Sequence, residues 1–203
     1  MNKFDLISKS LSRLSFLKKN TTNYNYDEIN YKDINITPLI ELYKSINENL
    51  TLIDDLYNIE KIEEQILLFR QNNPTCKLIV IIDYLQYIRV SHNSSDKQNI
   101  DIIVKKLKAL SKSAEASIIA ISSLNRANYS NSIDMESFKE SGGIEYTSDI
   151  LIGLEFANNM NDRSQQLRQN PRNISLKIIK NRNGALGKVD YKFYTEYHTF
   201  IEI

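Results

Sequence analysis

The stretch Cys76 to Ile82, CKLIVII, is almost unbroken in its apolar character and stops abruptly at Asp83. A strand with one face in water alternates apolar and polar residues. A run without alternation, rich in Ile and Val, suits a strand covered on both faces, as in a parallel sheet. A second such run, SIIAIS, spans Ser117 to Ser122. Between the two, Ser95 and Gln98 have capping-box spacing, and Ile100, Ile103, Val104, Leu107, Leu110 and Ala114 recur on one side of a helix. Strand, helix and strand make a β-α-β unit, for which a right-handed crossover is expected. The class is α/β.

The rest of the chain is read around that unit. Phe4, Ile7, Leu11 and Leu14 lie at helical spacing, and the polar stretch Asn20 to Asn35 reads as a loop. Thr37-Pro38 looks like an N-cap with proline in the first helical position, continued by Leu39, Leu42, Tyr43 and Ile46. Leu50 to Ile53 is a short strand candidate, and Asn58 caps a helix whose stripe is Ile59, Ile62, Ile66 and Phe69. Asp149 to Leu154 and Ile174 to Lys180 are further strands. Beyond Gly184 and Gly187, Val189 to Tyr194 and Thr199 to Ile203 form a terminal antiparallel pair.

Composition narrows the partners. The 203 residues suit one domain with a sizeable core. With 26 basic against 25 acidic residues there is no global pull toward polyanions, so any such contact must come from a local cluster. The single cysteine, Cys76, excludes an intrachain disulfide, fits a reducing compartment and reads as a small core residue. No stretch approaches the ~20 apolar residues of a membrane span, and no signal peptide is visible. His92 and His198 are far apart and accompany no Cys or Asp cluster, which argues against a metal site built on them. Lys105, Lys106, Lys108 and Lys112 read as the solvated face of their helix. The twelve tyrosines are scattered rather than interleaved with basic residues, so they suggest no stacking platform.

In open α/β sheets ligands bind beyond the carboxyl ends of the strands, and Asp83 sits at such an end. A carboxylate there can hold Mg²⁺ against a nucleotide phosphate. The same pattern fits a simple cap after a core strand. Lys180 and Arg182, taken alone, fit solvated charges leaving an edge strand.

Longer segments favour the chemical reading. IVIIDYLQYIRV (Ile79 to Val90), KKLKALSK (Lys105 to Lys112), ISSLNRA (Ile121 to Ala127), SFKESGGIEYTSDILIGL (Ser137 to Leu154) and IIKNRNGALGKVDYKF (Ile178 to Phe193) occur in that order. Together they resemble the C-terminal, RecA-like ATPase domain of hexameric DnaB-type replicative DNA helicases. LTLIDD with its following helix, and more loosely the SRL of the first helix, extend the resemblance over essentially the whole chain. The resemblance implies a RecA-like P-loop NTPase core with a mostly parallel sheet and C-terminal antiparallel strands. Residues 1–75 would be a helical segment with one short strand, 76–155 the Walker B and DNA-loop core, and 173–203 the C-terminal strands. Asp83 then matches the Walker B carboxylate that organises Mg²⁺ and ATP. Ser123 falls where the family usually has a glutamine that senses the γ-phosphate; serine is shorter, which weakens that relay. Lys180 and Arg182 match the Lys-x-Arg pair that reaches a neighbouring subunit's nucleotide in the arginine-finger role. Lys139, Glu140, Ser141 and Gly142 match the turn that contacts single-stranded DNA phosphates, where lysine keeps the charge without arginine's bidentate fork. Arg126, after the second strand, would be a further phosphate contact. None of these reads base edges, so the binding implied is sequence-independent and salt-sensitive.

The phosphate-binding pattern G-x-x-x-x-G-K-[ST] occurs nowhere in the 203 residues, whose first glycine is Gly142. The resemblance aligns Met1 with the end of the strand that carries the catalytic glutamate, so the P-loop strand and that glutamate would precede the segment. The expectation is part of an ATP-dependent helicase motor, unable alone to hydrolyse ATP, whose apolar strands would be open to association. Partners implied are single-stranded DNA, copies in a hexameric ring or a P-loop-bearing segment or subunit, primase and a helicase loader. A degenerate or split subunit acting as a non-catalytic DNA-binding or regulatory module is the alternative. The family implies a cytoplasmic, nucleoid-associated setting in a bacterium or phage-infected cell, or an organelle stroma.

Overall fold

The computed structural model describes residues 2–18, 22–91, 95–123, 132–135, 137–138, 143–157 and 163–203. The chain divides into two compact units: Met1–Asp54 with Leu154–Leu176 and Lys188–Ile203, and Asp55–Gly153 with Lys177–Gly187.

In the first unit, α1 (Lys3–Leu17), α2 (Tyr26–Tyr31) and α3 (Thr37–Ile46) close around buried Leu11, Ile29 and Leu39. Ile7 and Leu14 join that cluster as predicted, whereas Phe4 is exposed. The segment predicted as a loop contains α2. Asn25 and Glu28 form a reciprocal capping box that satisfies two backbone N–H groups, so a helix of six residues holds in a polar stretch. The third helix starts one residue earlier than expected. Ile36 is its N-cap, Thr37 is already helical and the Asn35 side chain accepts the Thr37 N–H at 3.1 Å. Leu50 to Ile53 forms no strand, and Leu50 and Ile53 are exposed. Without a paired neighbour its backbone gains no ladder.

The second unit holds the β-α-β motif. Asn58 caps α4 (Ile59–Asn72), accepting from the N–H groups of Glu60 and Lys61. After it come β1 (Leu78–Asp83), α5 (Asp96–Ser113, with the Ser95–Gln98 capping box) and β2 (Ala116–Ile121). β1 and β2 pair in parallel, from Leu78 opposite Ala116 to Asp83 opposite Ile121. Parallel strands cannot be joined by a hairpin, and α5 supplies the crossover. Its apolar side carries Ile100, Ile103, Leu107 and Leu110 into a core shared with Ile59, Ile62, Ile66 and Leu85.

Two expectations about this motif are corrected. β1 is covered on one face only: Leu78, Val80 and Ile82 pack against the core, while Ile79 and Ile81 are 63% and 64% exposed. Cys76 is exposed rather than in the core. It precedes β1 in a turn whose carbonyls are claimed by Arg70 of α4. That guanidinium donates to Cys76 O at 2.7 Å and, across the motif, to Ala114 O at 2.6 Å and Glu115 O at 3.0 Å.

The remaining elements are α6 (Gly143–Thr147), β3 (Ile150–Phe156), α7 (Arg163–Arg168), β4 (Arg172–Asn181), β5 (Gly187–Tyr194) and β6 (Thr199–Glu202). Four strands form a second sheet in the order β3-β4-β5-β6. β5 and β6 are antiparallel as predicted, with Phe193 opposite Phe200 and the two rings stacked at 4.3 Å.

The contrast between the core and the open face of β1 is measurable. Ile103→Ala removes a fully buried side chain from α5 and should cost about 2–5 kcal/mol in urea unfolding. Ile81→Thr on the open face should stay within about 0.5 kcal/mol of the parent. Comparable losses at the two positions would show that the open face is covered in solution.

Candidate functional site

The described candidates fall into two groups, both in the second unit. The first lies at the carboxyl ends of β1 and β2. Because Asp83 is level with Ile121 in the parallel register, Ser122 and Ser123 follow directly beside the end of β1. Asp83 is exposed, and among the described residues no hydrogen bond or ion pair engages its carboxylate. The short helical turn Leu85–Tyr87 then folds back, anchored by buried Leu85 and Ile88. Gln86 reaches across to β2's end. Its Nε2 donates to Ser122 Oγ at 2.8 Å and to Ser123 O at 3.2 Å, and its Oε1 accepts the Ser123 N–H at 3.3 Å. One side-chain amide thus grips the backbone of position 123 from both sides. Gln86 was visible in the sequence only as a motif letter; its role needs the parallel register.

The second group surrounds Asp149, between α6 and β3. Arg182 donates through Nη1 to Asp149 Oδ1 at 3.1 Å and through Nη2 to Tyr146 O at 3.1 Å, while its backbone N–H donates to Asp149 O at 3.0 Å. Lys180 Nζ donates to Glu145 O at 2.6 Å. Both cations therefore rest on the carbonyls of one short helix. Lys108 of α5 completes the group with an ion pair to Asp149. The solvated face expected for that helix is thus corrected: Lys108 pairs with Asp149, and Lys106 with Glu60 at 2.8 Å. The start of α6 is fixed to the same helix, since Asp101 Oδ1 accepts the Gly143 N–H at 2.5 Å. A Cβ on Gly143 would sit 2.9 Å from that oxygen, so a larger residue there would have to displace the Asp101 carboxylate.

The Lys108 hydrogen bond, with the charges of Lys108, Arg182 and Lys180 behind it, holds the Asp149 carboxyl below the ordinary carboxylate range. With side chains 49% and 52% exposed, the Arg182–Asp149 pair contributes roughly 0–1 kcal/mol to stability. Its effect is orientation more than stability.

Arg126, Lys139, Glu140, Ser141 and Gly142 lie outside the described residues, as does His92. Among the described residues no three His, Cys, Asp or Glu side chains come together to hold a metal. A single exposed carboxylate nevertheless fits Mg²⁺. That ion keeps several waters and is bound through one or two carboxylates plus substrate phosphates rather than by an all-protein cage.

The described core is thus α/β, with an exposed carboxylate at a parallel strand end and two cations on a separate support. The C-terminal domain family of DnaB-like helicases matches residues 1–202, and the chain belongs to this family. It is 34% identical over 130 residues to the replicative DNA helicase DnaB of Geobacillus stearothermophilus, covering 62% of this chain and 28% of that protein. It is 28% identical over 200 residues to DnaB of Haemophilus influenzae, covering 94% of this chain and 40% of the relative. The chain thus spans well under half the length of these relatives. Among solved structures, one of an ATPase domain superposes with a TM-score of 0.81 at 21% identity, over 100% of this chain and 72% of that one. A DnaB-like replicative helicase studied with its primase interactions gives 0.79 at 22%, over 99% and 48%. These two establish the fold.

The depressed Asp149 carboxyl fixes a pH dependence. A group whose folded pKa lies below its unfolded value of about 3.9 stabilises the fold above that pH, and the contribution is lost as pH falls through the folded value. The urea midpoints of the parent and Asp149→Asn should therefore differ slightly near neutral pH and converge on acidification below about pH 4. A gap that widens on acidification would contradict the ion-pair assignment.

Proposed function

We propose that this chain is part of an ATP-dependent replicative DNA helicase motor that moves on single-stranded DNA and unwinds duplex as a hexameric ring. The observation that carries the reading is the unengaged Asp83 carboxylate at the end of β1, level with the end of β2. Asp83 would hold Mg²⁺, which neutralises phosphate charge when bound with ATP. Ser123 stands in the position of the phosphate sensor, with its backbone gripped by Gln86. Lys180 and Arg182, at the end of β4, would act on the nucleotide of an adjoining subunit, with Arg182 oriented by Asp149. Arg126 and the turn Lys139, Glu140, Gly142 would contact single-stranded DNA phosphates. Primase is a partner by analogy with the structural relative whose primase interactions were studied; a loader would serve ring assembly. Among the described residues no helix is long and apolar enough to cross a membrane.

A second reading rests on the absence of any G-x-x-x-x-G-K-[ST] pattern in these 203 residues. The chain would then supply Asp83 and the Lys180–Arg182 pair to a site completed by a P-loop-bearing segment or subunit, or serve as a DNA-binding regulatory module.

Two measurements test these readings. The 203-residue chain alone should show no DNA-stimulated ATP hydrolysis; turnover that disappears in Asp83→Ala would mean that a complete nucleotide site exists within it. Binding to single-stranded DNA should weaken as salt rises, and Lys139→Glu should lower the slope of log K against log salt by about 0.7 per lost phosphate contact. Salt-insensitive binding would rule out the phosphate contacts.

A further inference from the structure

Three of the twelve tyrosines spread through the sequence meet in space. Tyr84 follows Asp83 directly, Tyr87 closes the helical turn after it, and Tyr57 precedes the cap of α4. The rings of Tyr57 and Tyr87 meet edge to face with centroids 5.2 Å apart, and Tyr84 lies tilted at 6.0 Å from Tyr87. The reason is local and steric. Leu85 and Ile88 are both drawn into the core, so a turn of this pitch puts Tyr84 and Tyr87 outside. Tyr57 is fastened to the same turn through the backbone: the Arg89 N–H donates to Tyr57 O at 2.7 Å and the Ile59 N–H to Arg89 O at 3.0 Å.

These rings remain 43% (Tyr57), 39% (Tyr84) and 57% (Tyr87) exposed. Single exposed aromatics need no explanation, but three linked ones form a patch of the kind that marks an interaction site. Tyrosine is suited to a surface that is wet when empty and covered when occupied, because its ring is apolar and its hydroxyl stays hydrated.

We propose that Tyr84 and Tyr87, supported by Tyr57, stack against bases of single-stranded DNA on the turn that follows β1. The choice of DNA as occupant rests on the helicase reading; the choice of bases rests on the patch itself. The three rings carry no charge, so they offer a stacking partner to a base face and none to a phosphate. Exposed Arg89, beyond Tyr87, adds a cation and a planar group of its own. Three linked rings offer more stacking surface than one mononucleotide base can cover, which favours a strand over a single nucleotide. The turn is also the one whose Gln86 grips Ser123, so a base held on Tyr87 sits on the same backbone that holds the sensor position.

The test uses the full 203-residue chain and a fluorescein-labelled oligothymidylate. Tyr84→Ala/Tyr87→Ala should weaken binding about tenfold or more, since stacking contributes substantially per base. The salt slope should stay at the parent value, because no phosphate contact is lost. Tyr84→Phe/Tyr87→Phe should bind as the parent does, since the ring is kept. The chain contains no tryptophan, so tyrosine emission reports directly; DNA should quench it in the parent and less in the alanine variant. Should the double alanine variant fail to fold, Tyr87→Leu alone, which keeps apolar bulk without a π face, should still lose affinity. Alanine variants that bind within twofold of the parent would overturn the proposal, as would equal loss in the phenylalanine variant or displacement of the oligonucleotide by thymidine monophosphate. A parent that binds no single-stranded DNA would sink both this and the helicase reading. Salt-dependent binding that is lowered by Lys139→Glu but indifferent to the tyrosines would sink this one alone.

Discussion

The parallel pairing of β1 with β2 is the constraint from which the described site follows. Two parallel strands demand a crossover, and the crossover here is α5, eighteen residues long and anchored by four buried side chains. The pairing sets Asp83 level with Ile121, so its carboxylate and the Ser122–Ser123 segment leave the sheet together. The crossover helix then serves a second purpose. Asp101 and Lys108 are seven residues apart, two turns, and so lie near the same side of α5. The first fixes the start of α6 and the second pairs with Asp149 after its end. The support of Lys180 and Arg182 is thereby tied to the helix that also aligns Asp83.

Energetically these ties divide into two kinds. The core beneath α5 supplies stability, through Ile103, Leu107 and Leu110 packed against α4 and the two strands. The polar contacts around Asp149 are half exposed and too weak to hold the fold. They decide geometry instead. Arg182 makes three separate contacts, two through its guanidinium and one through its backbone N–H, and this restricts a long side chain that would otherwise sample many rotamers. In the proposed role of meeting a phosphate, that restriction would leave less ordering to be done on binding.

What the sequence made legible was local or patterned. The caps at Asn58 and Ser95, the apolar stripe of α5, both strands of the parallel pair and the terminal antiparallel pair all depend on residues near one another in the chain. What escaped depended on distant partners. The helix of Tyr26–Tyr31 is too short for a periodic signal and exists because its one buried apolar residue, Ile29, finds Leu11 and Leu39. Cys76 looks like part of the β1 run until Arg70 is seen holding the turn before it. Lys108 is one lysine among four until Asp149 is opposite it. The motif letters singled out Asp83, Ser123, Lys180 and Arg182 as candidates, but not the residues that touch Ser123 and Arg182.

The turn from Tyr84 to Ile88 shows how much such positioning can be packed into five residues. Leu85 and Ile88 enter the core, which fixes the backbone between them. With the backbone fixed, the three remaining side chains have no freedom to share a task, and each faces a different neighbour. Tyr84 is held beside the carboxylate end of β1, Gln86 reaches the end of β2, and Tyr87 meets Tyr57 from the segment before α4. Two buried aliphatic anchors, Leu85 and Ile88, hold the backbone on which all three side chains sit. The amide of Gln86 is the turn's polar link to the segment after β2 that carries Ser123.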